Sequence, residues 1–276
     1  MIAREGSARR VTLRLVDSPE DLSAVLERER QYHERLYSGK AQQRFAQAAV
    51  REFRAHLCGH ILRATGLGAG ARVLSAGCGI GDQEIAMAPR VASVTGVDLS
   101  PAGIREARGA AAAAGATNAT FVEGTLDTAE LAPHSFDLLI AIFFLHHLPD
   151  AALREMPRQA ARLLAPGGWF YSLDPSRLRL SGAVGSLLIP WIMKQHQSPD
   201  ERQLEAGPVA ALFAAEGFTT RAGYYDFVST PLAGLFPKWR SGYRAARRLD
   251  DALVRTPLVN RFSSNFEIVA RNNSHR

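Results

Sequence analysis

Hydrophobic and polar positions change their period along this chain. Up to residue 65 the apolar residues recur at helical spacing, which predicts helices near residues 19–37 and 41–65. From residue 72 onward, short apolar runs alternate with helical segments. The predicted strands cover residues 72–77, 93–98, 118–123, 136–143 and 168–174, and the predicted helices cover residues 81–90, 101–114 and 151–164. This alternation is typical of a parallel sheet with helices on both faces.

The alternation is interrupted after residue 175. A helix is predicted near residues 200–216, because Ser198 and Pro199 followed by two acidic residues resemble a helix start. Further strands are predicted near residues 218–228 and 264–270. Two long segments, at about 176–198 and 229–262, lie outside the regular alternation and are candidate insertions.

A glycine-rich turn follows the first predicted strand. Gly77, Gly79 and Gly81 occupy alternate positions directly after the apolar run, and Asp98 closes the next strand. Glycines in such a strand-to-helix turn bring bare backbone N–H groups against a ligand. A carboxylate at the end of the second strand can accept hydrogen bonds from a ribose diol. Together they predict a nucleoside-containing cofactor.

The glycine spacing narrows the choice of cofactor. Dinucleotide-binding folds use G-x-G-x-x-G, whereas Gly77, Gly79 and Gly81 are one residue tighter, which argues against a pyridine-nucleotide oxidoreductase. No G-x-x-x-x-G-K-[ST] phosphate loop is present in the sequence. The tighter spacing resembles the first motif of the class I S-adenosylmethionine (SAM) methyltransferases.

Further parts of that family's pattern follow in the same order. The segment from Phe136 to Asp150 reads FDLLIAIFFLHHLPD, and residues 163–168 read LLAPGG, before an apolar run that ends at Asp174. These segments resemble the later strands of the broad small-molecule (type 11-like) group. The resemblance covers residues 70–175 and is thin elsewhere.

This resemblance implies an α/β fold, doubly wound, with a mostly parallel seven-stranded Rossmann-like sheet and an antiparallel last strand. Residues 1–66 would form an N-terminal helical segment that closes the cofactor site, and residues 67–276 the SAM-binding domain. Ligands bind beyond the carboxyl ends of the strands in such sheets. The insertions at 176–198 and 229–262 are therefore expected to cover the active site as lids.

The resemblance also implies a set of cofactor contacts. One departure concerns Ser75, which stands two residues before Gly77 where the family usually carries Asp or Glu near the methionine amine. A hydroxyl accepts a hydrogen bond but brings no charge, so weaker cofactor affinity is expected. The predicted cofactor-binding residues are Ser75, Gly77, Gly79, Gly81, Asp98, Leu99, Thr125, Leu126 and Ala141.

Three residues are predicted to serve catalysis. His146 and His147 follow the fourth strand and Asp174 ends the fifth, which the family's topology places beside it. A histidine assisted by a carboxylate is a suitable base for a hydroxyl acceptor. The alternative is a structural role for the His-His pair. Further candidates are His196 as a second base and Tyr32 and Tyr37 as contacts to the methionine end of the cofactor, with exposure or helix packing as alternatives.

The two insertions combine apolar and basic residues. Residues 182–193 are almost entirely apolar, and residues 232–254 interleave large apolar side chains with lysine and arginine. We expect a hydrophobic small-molecule acceptor, such as an aromatic natural product, and methyl transfer to a hydroxyl oxygen. Alternatives are C-methylation of an isoprenoid or quinone, and SAM binding without transfer. The apolar residues could instead pack the lid, or meet a membrane surface as a possible peripheral contact.

Charge and composition limit the other partners. The net charge of +6 arises in residues 176–276, which hold 14 Lys/Arg against 8 Asp/Glu. No nucleic-acid-binding motif accompanies this excess. Cys58 and Cys78 lack the spacing of a metal site, so neither a metal nor a disulfide is expected. The N-terminus lacks a signal-like apolar region and the run at 182–193 is too short to span a bilayer, so a cytoplasmic location is expected. The oligomeric state stays open.

Overall fold

The structure is a computed structural model that describes residues 19–37, 46–181 and 202–273. The strands are β1 (Arg72–Ala76), β2 (Ser93–Asp98), β3 (Ala119–Glu123), β4 (Phe136–Ile142), β5 (Leu164–Pro175), β6 (Phe218–Asp226) and β7 (Asn265–Asn272). The helices are α1 (Pro19–Tyr37), α2 (Ala48–Thr65), α3 (Asp82–Met87), α4 (Pro101–Ala114), α5 (Asp150–Leu163), α6 (Ala206–Ala215), α7 (Ser229–Leu235) and α8 (Arg240–Leu253). Short 3-10 turns follow at Ala88–Arg90, Leu145–His147 and Val259–Phe262.

The strands form one seven-stranded sheet in the order β3-β2-β1-β4-β5-β7-β6. β1 to β5 are parallel to one another, and β7 runs antiparallel to both of its neighbours, β5 and β6. The predicted fold class is thereby confirmed. This topology brings the carboxyl ends of β1, β2 and β4 to one edge of the sheet, where ligands bind in doubly wound folds.

Alternate residues of the central strands feed two apolar cores. On one face, Leu74 and Leu139 pack in a cluster with residues of α5 and α6. On the other face, Val73 and Leu138 pack in a cluster with residues of α2 and α8. Strands that are buried on both faces read as continuous apolar runs, which explains why these strands were recognisable in the sequence.

Some element boundaries differ from the predicted ones. α6 begins at Ala206 because the preceding residues are extended, with Leu204 bridging to Ser176, so the predicted start near residue 200 is wrong. α3 ends at Met87, and the chain continues as a 3-10 turn that contains Pro89. Residues 41–45 of the predicted helix at 41–65 lie outside the described residues, and the described helix begins at Ala48.

The first helix lies against the carboxyl edge of the sheet. Glu34 of α1 accepts hydrogen bonds from the Ser100 hydroxyl at 2.7 Å and from the Ala102 backbone N–H at 3.1 Å. These contacts join α1 to the start of α4, directly after the end of β2. Among the described residues, no helix has the length and apolar character needed to cross a membrane.

Candidate cofactor and acceptor site

The glycine turn is tightly packed as well as conformationally unusual. Gly77 and Gly79 have φ values of +68° and +54°, a region that side chains strongly disfavour. A Cβ atom at Gly77 would lie 2.2 Å from the Phe144 ring, and one at Gly79 would lie 2.6 Å from the Tyr37 hydroxyl oxygen. The turn therefore requires glycine for its backbone angles and for the close approach of two aromatic side chains.

Asp98 is joined to this turn by a hydrogen bond. One carboxylate oxygen accepts from the Gly79 N–H at 2.8 Å and the other from the Ser100 N–H at 2.8 Å. Burial raises the pKa of Asp98, while these two N–H donors act in the opposite direction. Each carboxylate oxygen keeps a second lone pair, so Asp98 can still accept from a ligand hydroxyl.

A cavity of about 620 Å³ opens beside Asp98. Its wall contains Leu99, Thr125 and Leu126, all predicted cofactor contacts, together with apolar residues such as Met156. A mostly apolar cavity of this size with a few polar groups is suited to a small-molecule ligand.

A second cavity of about 690 Å³ lies on the other side of the glycine turn. It is bounded by Ser75 and Glu84 near the turn, and by Phe53 of α2 and Ala233 of α7 farther away. The two cavities meet at a shared set of wall residues, which we call the junction: His33, Tyr37, Gly77, Phe143 and His147.

Phe143 at the junction has a strained backbone. Its φ is +54°, which is uncommon for a residue that is not glycine. Its N–H donates to the Leu173 carbonyl oxygen at 2.7 Å and so continues the pairing of β4 with β5 by one residue. Backbone strain of this kind is concentrated at ligand-binding sites.

Glu84 is a residue of this site that the sequence analysis missed. Its side chain is buried and reaches the second cavity beside Ser75. Burial raises the pKa of Glu84 to about 7, although a hydrogen bond from Ser75 lowers it. Its Oε2 atom has no hydrogen-bond partner among the described residues. The structure thus places a carboxyl group from α3 beside Ser75, the position at which the family usually carries Asp or Glu. The available signal was an acidic residue in the first turn of the helix that follows Gly81.

His147 occupies the junction with two partners from α1. Its Nδ1 atom lies 3.1 Å from a carboxylate oxygen of Glu29, which is buried. The His33 ring packs edge-to-face against His147 with ring centres 4.9 Å apart, and His33 Nδ1 bonds the Glu29 backbone carbonyl oxygen at 2.9 Å. Burial, and then the neighbouring His147, lower the pKa of His33. The junction therefore holds two imidazoles, with the carboxylate of Glu29 directly beside them.

Glu29, His33 and His147 also form a candidate metal site in the described part of the chain, because their possible ligand atoms lie close together. One ligand atom each from Glu29, His33 and His147 lie within 4.8 Å of one another. The prediction of no metal residues rested on cysteine spacing and did not consider α1. In the structure each Nδ1 atom is within hydrogen-bond distance of an oxygen of Glu29, an arrangement that also orients a histidine base.

The other predicted catalytic residues lie behind the cavity wall. His146 Nδ1 is 2.9 Å from Asp174 Oδ1, so the predicted proximity of these side chains is present. Both are buried, however, and neither lines either cavity. Their placement corrects the prediction that they touch the acceptor: the pair joins the turn after β4 to the end of β5. Only the next residue, His147, faces the cavities.

Two residues that were predicted to contact the cofactor, Ala141 and Gly81, also lie away from the cavities. Ala141 is fully buried within β4, between Ala76 and Ser172 of the neighbouring strands. A Cβ atom at Gly81 would meet the Phe121 ring and Ala107, so Gly81 serves the packing of α4 and β3 against the turn. Neither residue lines the cavities. They were assigned by motif position, which does not distinguish a ligand contact from packing.

The predicted lid at 229–262 contains α7 and α8, and buried carboxylates anchor it. Asp250 of α8 accepts from the Ser229 N–H at 2.8 Å, and Asp226 at the end of β6 accepts from the Thr230 N–H at 2.8 Å. These bonds fix the start of α7, whose residues Thr230, Ala233 and Gly234 line the second cavity.

The large apolar side chains of this insertion do not line the cavities. Leu235, Phe236 and Trp239 are exposed and line neither cavity, so the interpretation of this insertion as the wall of an apolar acceptor pocket does not apply to them. The apolar run at 182–193 of the other insertion, and His196, lie outside the described residues. Tyr32 and Tyr37 of α1 both line the second cavity.

Comparison with known proteins identifies the region that carries this site. Residues 73–168 match the family model of a methyltransferase domain. Residues 73–168 thus form a methyltransferase domain. This confirms the resemblance described above, and SAM is the cofactor of such domains.

Named relatives match the same part of the methyltransferase domain. A ubiquinone biosynthesis O-methyltransferase of Paracidovorax citrulli is 39% identical over 37% of this chain and 42% of its own length. The corresponding protein of Thiobacillus denitrificans is 36% identical over 46% of this chain and 53% of its own length. The chain therefore spans about half or less of the curated relatives' length.

Solved structures share the fold at low identity. An N-methyltransferase of Haemonchus contortus, solved with S-adenosylhomocysteine, has a TM-score of 0.60 at 16% identity, over 89% of this chain and 60% of its own. A [4+2]-cyclase has a TM-score of 0.54 at 19% identity, over 80% of this chain and 81% of its own. The fold alone thus does not define the reaction.

Proposed function

We propose that this chain transfers the methyl group of SAM to a hydroxyl oxygen of a hydrophobic, ring-bearing small molecule. The observation that carries the proposal is the position of His147. It lies at the junction, beside Glu29, between the cavity next to Asp98 and a second cavity whose wall is charged near the glycine turn and apolar at Phe53, Ile142 and Ala233. A quinone-type acceptor agrees with the activity named for the O-methyltransferase relatives.

The residues present fit the cofactor. Asp98 has acceptor capacity for the ribose hydroxyls, and the glycine turn offers a close backbone approach. The free Oε2 of the buried Glu84 lies at the end of the second cavity beside the glycine turn and suits the ammonium group of the cofactor's methionine part, so the cofactor would extend past the junction into that end. When bound, SAM supplies an electrophilic methyl group on a sulfonium.

The chain's own residues would orient the acceptor and remove its proton. Phe53, Ile142 and Ala233 provide apolar wall for a ring, while His147 faces both cavities. With its proton on Nδ1, which lies 3.1 Å from the Glu29 carboxylate, His147 would have the Nε2 lone pair available to accept the hydroxyl proton. The Glu29 carboxylate stabilises the imidazolium that forms. Holding acceptor and cofactor together in a water-poor site lowers the entropic part of the barrier.

The test of this proposal is an acceptor screen. The purified chain is incubated with methyl-labelled SAM and with hydroxylated quinones, phenols or small polar alcohols, and the labelled product is located by mass spectrometry. The expected product is an aryl or quinone methyl ether with one equivalent of S-adenosylhomocysteine. A product labelled on carbon would contradict the proposal, as would tight cofactor binding without turnover of any acceptor.

Glu84→Gln is expected to weaken SAM binding by roughly tenfold to a hundredfold, since a hydrogen bond to a charged group contributes about 1.5–3 kcal/mol. Titration calorimetry measures this change. In the wild type, affinity should rise as pH increases through about 7, where Glu84 ionises. The variant should lack that rise, and Glu84→Asp, which keeps the charge, should retain part of it.

Protein stability offers a second readout of Glu84. Its pKa in the fold, about 7, lies above the ordinary value of 4.5, so the unfolded chain loses this proton first as pH rises. The free energy of unfolding of the wild type should therefore decrease as pH rises from 4.5 to about 7, relative to that of Glu84→Gln. Equal pH profiles of the two proteins would contradict a buried, neutral Glu84.

Gly234→Leu should select against bulky acceptors. A Cβ atom at Gly234 meets nothing within 4 Å, so a leucine there has room at its base and should narrow the second cavity. We expect a higher KM for ring acceptors and unchanged SAM affinity, measured by steady-state kinetics and calorimetry. Gly207→Leu in α6 is the matched control, because its Cβ is equally free and it lines neither cavity. Equal KM values for both variants would show that acceptors bind elsewhere.

A further inference from the structure

An exposed aromatic and basic surface lies on the insertion that follows β6. We call it the lid patch and define it by five exposed residues: Phe236, Lys238, Trp239, Arg244 and Arg248. The Phe236 side chain is 56% exposed and Trp239 is 54% exposed. Burying two large aromatic side chains would remove a substantial unfavourable contact with water, so their exposure calls for a partner.

The aromatic side chains are exposed yet held in place. The Trp239 indole lies against the backbone of Gly242, where a Cβ atom would come within 2.3 Å of the ring. The rings of Phe236 and Trp239 pack edge-to-face with centres 6.2 Å apart. The loop between α7 and α8 is fixed to α2, because the Ala49 N–H donates to the Pro237 carbonyl oxygen at 2.8 Å. Such a fixed pair loses little conformational entropy when it binds.

The basic residues form a stripe along α8. Arg240, Arg244 and Arg248 follow at intervals of four residues, which places them next to one another along the helix, and all three are exposed. Arg240 and Arg244 share one carboxylate, Glu52, at 2.7 and 2.8 Å.

The other two cations of the surface lack such partners. Neither Lys238 nor Arg248 forms an ion pair with any residue that the structure describes. With Arg240 and Arg244, four cations thus stand against the single carboxylate of Glu52. The surface has an excess of positive charge beside its aromatic pair.

This combination favours an anionic lipid surface over a second copy of the chain. In a symmetric dimer the same patch faces itself, which would bring Lys238 and Arg248 of both copies together. At a bilayer, tryptophan and phenylalanine insert at the level of the headgroups while arginine and lysine meet the phosphates. α7, which adjoins the patch, also lines the second cavity through Ala233. Docking would therefore hold that cavity close to the bilayer surface.

We propose that the lid patch docks the protein on the surface of an anionic bilayer. This inference goes beyond the proposed methyl transfer and does not depend on it. The test is vesicle flotation of the full chain, with vesicles of phosphatidylglycerol and phosphatidylcholine compared with vesicles of phosphatidylcholine alone. The protein should float with the anionic vesicles, and raising the salt concentration should weaken this binding.

Variants separate the lid patch from the general positive charge. Arg248→Glu changes the charge by two units and should reduce the vesicle partition coefficient by about tenfold or more, since each basic residue near the surface contributes about 1 kcal/mol. Arg154→Glu, an exposed residue of α5 with the same charge change, should leave binding near the wild-type value. The double variant Phe236→Ser/Trp239→Ser should also lose binding while its far-ultraviolet circular dichroism stays unchanged.

Three results would overturn the proposal. Equal loss for Arg248→Glu and Arg154→Glu would mean that net charge, not the patch, attracts the vesicles. Dimerisation of the wild type that Trp239→Ser abolishes, measured by sedimentation velocity, would assign the patch to a second copy. Binding of single-stranded RNA that needs Arg248, without flotation, would assign it to nucleic acid.

Discussion

Asp98→Ala is expected to lower SAM affinity by roughly tenfold to a hundredfold, because it removes a charge-assisted acceptor, which contributes about 1.5–3 kcal/mol. The same substitution removes the acceptor of the Gly79 N–H, which holds the glycine turn beside the cavity. Both losses act in the same direction. Titration calorimetry with SAM and with S-adenosylhomocysteine measures the change, and the product should lose affinity as much as the cofactor.

Asp137→Ala provides a matched control for Asp98→Ala. Asp137 is also a carboxylate next to the central strands, but it pairs with Arg72 at 2.9 Å at the start of β4, away from both cavities. Its loss should leave SAM affinity unchanged. Asp98→Asn keeps the side-chain shape and one acceptor oxygen, so its SAM affinity should lie between those of Asp98→Ala and Asp137→Ala. Unchanged affinity in Asp98→Ala would remove this residue from the proposed site.

The parts of the site that are local in sequence could be predicted. Gly77, Gly79 and Asp98 occupy the ends of two strands whose periodicity and spacing are visible in the chain. The structure adds a reason for the spacing, since the Gly79 N–H donates to Asp98 directly. The glycine turn and the end of β2 are in direct contact and close in sequence. Contacts of this kind require particular residue types at fixed spacings, which can be recognised in the sequence.

Residues that reach the site from other elements could not be predicted in this way. Glu29 and His33 lie on α1, and only the packing of α1 over the carboxyl edge brings them to His147. Glu84 has no motif of its own; its burial beside Ser75 depends on the angle between α3 and the sheet. Periodicity indicates that a helix exists but not where the helix packs.

The His-His pair shows most clearly that the sequence does not determine which side chains face a cavity. His146 and His147 are adjacent in one 3-10 turn and their ring centres are only 4.0 Å apart, yet the two side chains have different surroundings. The first is buried against Asp174 and the second faces the cavities. A carboxylate was expected beside this pair, and Asp174 lies against His146. The same contact holds His146 behind the cavity wall.

His147→Ala should lower kcat by roughly a hundredfold to ten-thousandfold, the usual contribution of a general base, with SAM affinity little changed. The reason is that His147 faces both cavities and has the Glu29 carboxylate at 3.1 Å to stabilise its protonated form. The pH profile of kcat should lose its acidic limb, since protonation of the missing imidazole no longer stops the reaction. Steady-state kinetics with a hydroxylated ring acceptor provides both measurements.

Glu29→Gln tests whether the two residues act as a unit. The amide still contacts His147 but does not stabilise an imidazolium, so kcat should fall, and the double variant should be little slower than His147→Ala. Activity lost on treatment with a chelator and restored by a divalent metal would contradict a base role, because Glu29, His33 and His147 would then act as metal ligands. Full activity of His147→Ala would mean that positioning alone suffices, which would fit a carbon acceptor and exclude the proposed proton transfer.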